Sequence, residues 1–105
     1  MKRIEFFVGT EQGAHGALDP VHAAYRHTRA TGIVATYFSG ATELVTRGFW
    51  ENDPPEAGLY FIVIAADPSE QTIKACAEEL RVTYDQTAVL VAVGEVVAYE
   101  VRANA

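Results

Sequence analysis

The chain has 105 residues, half of them hydrophobic and 21% charged, and a formal net charge of −6. That length and balance predict a single folded domain, residues 1–105, and exclude a disordered tract, while eight scattered Lys and Arg exclude a basic face for non-specific nucleic-acid binding. A single cysteine, Cys76, excludes a disulfide framework, and no Cys/His spacing suits zinc, so neither a metal nor a cofactor is expected.

Arg3 to Gly9 sets Ile4, Phe6 and Val8 against Glu5 and Phe7, the alternation of a half-buried strand. This segment lacks the apolar core and cleavage site of a secretion signal, and no run approaches the ~18 apolar residues of a membrane span. A cytoplasmic location without a membrane partner is therefore expected. A loop with glycines at 9, 13 and 16 leads to Asp19-Pro20, an N-cap followed by proline at the first helical position. Val21, Ala24, Tyr25 and Thr28 recur at helical spacing, and Ile33, Tyr37 and Phe38 continue it across Gly32. One helix to about Phe38, stopped at Gly40, is favoured over a helix ending near Thr31 with a strand from Ile33 to Phe38.

Thr42 to Trp50 reads as the second strand, followed by an acidic loop with two prolines from Glu51 to Gly58. Leu59 to Ala66 is apolar on both faces, which predicts a central strand covered on both sides. Asp67-Pro68-Ser69-Glu70 has the spacing of a capping box, with Asp67 as the cap, and Ile73, Cys76, Ala77, Leu80 and Tyr84 then line one helix face. Thr87 to Val93 is a further apolar strand, ended by Gly94, and Glu95 to Val101 alternates Val97, Tyr99 and Val101 as a last one. The order gives an α+β, ferredoxin-like split β-α-β domain: βαββαβ plus a C-terminal strand, mainly antiparallel, with two helices on one face. The other face would carry Tyr60, Ile62 and Ile64, which predicts that a second copy covers it and that the chain is a homo-oligomer.

Few residues suggest chemistry. The loop from Gly9 to Gly16 lies where phosphate-binding loops occur, with Thr10 and His15 as its available side chains, but its spacing is no nucleotide fingerprint and Asp19 would repel phosphate. His22 and His27, five residues apart on the helix, diverge by about 140° and cannot share a metal. His15 or His22 could act as a general base, although no nucleophile is paired with either. Glu78 and Glu79 diverge and form no carboxylate pair, Gln86 is placed to tie a turn after the second helix, and Cys76 falls on an apolar face. Arg47 is the leading candidate: inside a strand, an arginine is either paired with an acid such as Glu43 or aimed into a cleft, where it would hold a small anionic ligand. Phe49 and Trp50 at the strand end could form an interface anchor or a stacking wall.

Gly40-Ala-Thr42, Gly48-x-Trp50 and the run Tyr84 to Val91 resemble a small ferredoxin-like domain family of unknown function found in bacteria and phages. The resemblance spans about Tyr37 to Val93 and implies the fold without an activity. Met1 to Glu5, Gly40 to Thr42 and Arg47 to Phe49 are also similar to PII-like signalling proteins, trimers that bind nucleotides between subunits. That resemblance implies a ligand cleft bordered by Gly40, Thr42 and Gly48. The mobile loop of that family is shortened here to Glu51–Gly58, and its phosphate loop is replaced by Arg81 to Gln86.

The sequence thus predicts a non-enzymatic homo-oligomer that binds a small ligand, of nucleotide type, in a subunit-interface cleft formed by Arg47, Trp50, Thr42, Gly40, Gly48, His15 and Thr10. Sequestering a nucleotide signal is one use of such a cleft. Two alternatives stand beside it: a small α+β-barrel-type enzyme with His15 or His22 as acid or base, and a structural or protein-interaction subunit with Trp50 at its interface.

Overall fold

The computed structural model describes the backbone of residues 1–10, 20–49 and 54–103, and the side chains of all of these except 20–26. The elements run β1 (Lys2–Gly9), α1 (Pro20–Tyr37), β2 (Thr42–Gly48), β3 (Glu56–Ala65), α2 (Glu70–Thr83) and β4 (Leu90–Glu95). They form one antiparallel sheet in the order β2-β3-β1-β4. This is the α+β arrangement of a ferredoxin-like fold: β3 lies between β1 and β2, the strands joined by the first helix.

Alternation in β1 and β3 decides which face is the core. Ile4, Phe6 and Val8 stand opposite Val63, Phe61 and Leu59, and all six are buried. Helix α1 covers them with Ala30, Ile33 and Val34, and α2 adds Ile73, Cys76 and Leu80, each set at the three-and-four spacing of a helix face. Phe38 closes one side, its ring 6.0 Å from that of Phe6. Each large side chain buried in this way stabilises the fold by about 1.5–3 kcal/mol.

Helix α1 passes through Gly32, where nothing lies within 4 Å of an added Cβ. The glycine sits on the solvent face, where it costs about 1 kcal/mol relative to alanine. Ile33 and Val34 repay that by packing, so the helix continues and the strand alternative for Ile33–Phe38 fails. At the second helix the cap is Ser69 rather than Asp67: Ser69 Oγ accepts from the N–H of Thr72 at 3.1 Å. Asp67 instead takes a left-handed turn residue's conformation, with φ of 38°. The Asp19 cap and the stretch beyond Phe49 to Asp53 fall outside the described residues.

In four further places the single chain departs from expectation. Strand β2 ends at Gly48, short of Trp50. The central strand β3 is covered on one side only: Tyr60 and Ile62 are half-buried and Ile64 is exposed. Strand β4 begins at Leu90 rather than Thr87 and runs straight through Gly94, which pairs with Arg3. The ladder stops at the hydrogen bond from the Val96 N–H to the Met1 carbonyl. Residues 96–103 then run without secondary structure, so the predicted C-terminal strand does not form within one chain. No helix among the described residues is long and apolar enough to cross a membrane.

Candidate functional site

One end of the sheet collects polar groups. There β1 finishes at Gly9 opposite Gly58, β2 finishes at Gly48 opposite Glu56, and Arg47 stands opposite Ala57. Thr10 is buried, and both its N–H and its hydroxyl donate to the Ala57 carbonyl at 3.1 Å, which fastens the end of β1 to the start of β3.

Gly9 is the centre of the cluster. A Cβ at that position would lie 2.5 Å from Glu56 Oε1 and 2.6 Å from Gln86 Oε1. The missing side chain is therefore the space into which a carboxylate and a carboxamide oxygen both point. Gln86 is buried and fixed from several sides: its Nε2 donates to the Tyr84 carbonyl at 3.3 Å, its own N–H donates to the Arg81 carbonyl, and its carbonyl accepts from Arg81 Nη1 at 3.2 Å. Asp85, with φ of 51°, makes the turn that brings Gln86 back under the sheet. With the amide nitrogen committed to Tyr84, the oxygen is the end presented toward Gly9. Two acceptor oxygens converging on one point make a locally negative site, suited to a cation or an N–H donor.

The sequence-predicted residues divide between two places. Thr10, Gly48 and Arg47 belong to this end of the sheet, with Arg47 on the helix-side face of β2 by alternation and Glu56 on the opposite face. Thr42 begins β2 and Gly40 precedes it, six and eight residues from Gly48, so they lie about 20 Å or more away. Trp50 and His15 lie outside the described residues, as does the side chain of His22. Arg47 is exposed and makes no ion pair among the described residues; Glu43, its expected partner, instead accepts a hydrogen bond from Thr31 at 2.8 Å. The sequence reading does not reach Glu56 or its approach with Gln86 to Gly9. The available signal was the pair of glycines, 9 and 58, closing the two strands that carry the core.

A second polar group lies on the open face of the sheet. The Tyr60 hydroxyl donates to Glu5 Oε1, Arg3 Nη2 reaches the same oxygen at 3.4 Å, and the Tyr60 ring stacks on Phe7 at 4.7 Å. These contacts hold Arg3 above its ordinary pKa, first through Tyr60 and then through the charge of Glu5. Around the group the face is apolar: Leu44, Tyr60, Phe7 and Leu90 form one row across all four strands. Cys76 is no part of either cluster. It is fully buried in the core, and desolvation pushes its thiol up to about 12, so it is a packing residue rather than a nucleophile.

No family model matches the chain, and no curated protein does. Among solved structures, the chain is similar to a phage SAM lyase in complex with S-methyl-5'-thioadenosine, with a TM-score of 0.64 and 18% identity over 90% of this chain and 80% of that one. The apo form of a phage SAM lyase gives a TM-score of 0.67 at 19% identity, over 89% of this chain and 78% of that one. At these identities the likeness shows a shared fold, a small α+β one. It also counts against the expectation of a non-enzymatic binding module, because both of these solved structures, alike along most of the chain, are of an enzyme. The lack of a paired nucleophile and base had suggested a binder, yet an enzyme that works by positioning a reactive substrate needs no such pair.

Proposed function

We propose that this chain is an enzyme that cleaves a carbon–sulfur bond of a sulfonium nucleoside of the S-adenosylmethionine class, releasing S-methyl-5'-thioadenosine. The observation that carries the proposal is the convergence of Glu56 and Gln86 oxygens over Gly9, in a chain whose fold is similar to that of a phage SAM lyase. The substrate bears a positive sulfur, and this site is negative at short range on a chain of net charge −6. In the reaction the bond from sulfur to the amino-acid carbon chain breaks and its electron pair stays on sulfur, which becomes a neutral thioether. The carbon fragment is completed either by attack of its own carboxylate or by loss of a proton to a base. Glu56 is the group placed to hold the sulfonium or to take that proton, and Gln86 fixes the substrate's orientation through its carboxamide oxygen.

The protein acts as a homo-oligomer in this proposal. The apolar row on the open face is continuous with β2, an edge strand that exposes Leu44 on one side and Val45 on the other, with Phe49 exposed just beyond it. A second copy laid over that face covers the apolar row together with Leu44.

The test is incubation of purified protein with S-adenosylmethionine, with chromatographic detection of the thioether. The wild type should release it, and Glu56→Gln and Gln86→Ala should each slow release by about 100-fold with unchanged folding. No release above that of a heat-inactivated sample would refute the reading.

A further inference from the structure

The C-terminal segment poses a physical problem that a single chain leaves unsolved. Val97, Tyr99 and Val101 are 96%, 84% and 89% exposed, although their alternation is that of a strand with one buried face. Beside them lies an unfilled groove of about 770 Å³ between α2 and the free edge of β4. Its floor is Val89, Val91, Val93, Ile73 and Ala77, and Lys74 and Arg81 stand on its rim. The segment cannot turn back into its own groove. The Val96 N–H is held by the Met1 carbonyl, which carries the chain straight on, and Glu95-Val96-Val97 contains none of the residues a tight hairpin needs.

We infer that residues 96–102 are a strand that pairs with β4 of a second copy, and that the exchange is reciprocal. In one chain β4 and its continuation form a single extended segment. Two such segments placed antiparallel about a two-fold axis at Val96 bring Tyr99 opposite Val93 of the partner subunit and Val101 opposite Val91 of the partner subunit. Residues directly opposite in an antiparallel pair share a face, and Val91 and Val93 lie on the helix side because they pair with Phe6 and Ile4. Tyr99 and Val101 therefore enter the α2–β4 groove, where the missing apolar partners are. The backbone groups on the free edge of β4 are satisfied at the same time. On the other face the register sets Glu100 opposite Ala92 and Arg102 opposite Leu90, while on the groove face Val97 falls opposite Glu95 of the partner subunit, at the groove end where Glu95 pairs with Lys2 in its own ladder. Three apolar side chains inserted from each copy, with the groove they cover, bury on the order of 1,200–1,600 Å², the range of a stable interface.

This contact depends neither on the proposed reaction nor on the covering of the open face. It is tested by mixing two singly substituted proteins of different mass, Val93→Cys and Tyr99→Cys, under mild oxidation, with Cys76 left in place because it is buried and unreactive. Opposed residues of a ladder are about 4.5–5.5 Å apart at Cα, within disulfide reach. The expected product is the mixed disulfide, in at least tenfold excess over that from pairing Tyr99→Cys with Val82→Cys, an exposed position on α2. A chain ending at Glu95 should show half the native assembly mass by light scattering. Cross-linking no better than the Val82→Cys control, or a truncated chain of unchanged assembly mass, would overturn the inference.

Discussion

Gly9 and Gly58 face each other across the β1–β3 ladder, yet the structure assigns them opposite consequences on substitution. A Cβ on Gly58 would lie 2.6 Å from the Val8 carbonyl oxygen and 3.3 Å from Thr46 Oγ1. The first contact is with the backbone of a core strand, so relief requires moving that strand. Gly58→Ala should destabilise the fold by about 1–3 kcal/mol, and each kcal/mol lowers Tm by about 4–8 °C in a domain of this size. A Cβ on Gly9 meets only the ends of Glu56 and Gln86, which can swing aside. Removing a glycine from a strand also recovers part of about 0.5–1 kcal/mol, against a similar loss if Gln86 gives up its hydrogen bond. Gly9→Ala should therefore leave Tm within a few degrees of wild type while displacing both oxygens from the site, and thioether release should fall about 100-fold. Circular-dichroism melts and the chromatographic assay on the two variants separate these effects. Full turnover in Gly9→Ala would refute the placement of the active site, whereas equal loss of stability in both variants would refute the geometry at Gly9.

Two other expectations concern the scaffold. Because the Cys76 thiol is raised from an ordinary value of 9.0 to about 12 by burial, the folded state retains its proton where the unfolded state has lost it. Its stabilising contribution is thus whole below about pH 9 and declines as pH rises toward 12; Cys76→Ala should flatten that part of the stability profile, and thiol reagents should label the wild type only on unfolding. Ser69→Ala removes the cap that binds the Thr72 N–H and should cost about 1 kcal/mol, read as a fall in Tm of about 4–8 °C; an unchanged Tm would return the capping role to Asp67.

The fold was legible because its elements are set by local periodicity. Ile4, Phe6 and Val8 announce one buried strand face, and Ile73, Cys76 and Leu80 announce one helix face, whatever the tertiary context. Boundaries were less legible: Asp67 and Ser69 both look like caps, and only the path of the chain around Pro68 decides between them. The site was hidden for a different reason. Glu56 and Gln86 are thirty residues apart and belong to no motif, and they meet because β3 and the turn after α2 both end beside Gly9. A vacancy made by a glycine has no signature in sequence, whereas a strand cation such as Arg47 does. Attention therefore went to Arg47, whose structural partner Glu43 is engaged by Thr31 instead.

The C-terminal segment shows the reverse case, in which the pattern was read from the sequence and the single chain does not fulfil it. Strand patterning states that one face of Val97, Tyr99 and Val101 will be buried, but it does not state by which molecule. The ladder of β4 ends at Val96, and among the described residues no turn follows that could supply an intramolecular neighbour. The same logic applies at the far edge, where β2 exposes Leu44 on one face and Val45 on the other. Edge strands left apolar and unprotected favour indiscriminate pairing, and the proposed assembly would protect both edges with specific copies. Assembly is then the condition under which the sequence pattern and the observed burial agree. It also bears on the site, because the β2 edge ends at Gly48, beside Arg47 and Glu56. A copy seated along β2 would therefore stand next to the converging oxygens over Gly9, and disruption of that edge by Val45→Lys should lower turnover together with assembly mass. Retained turnover in a Val45→Lys monomer would separate the two and confine the chemistry to one chain.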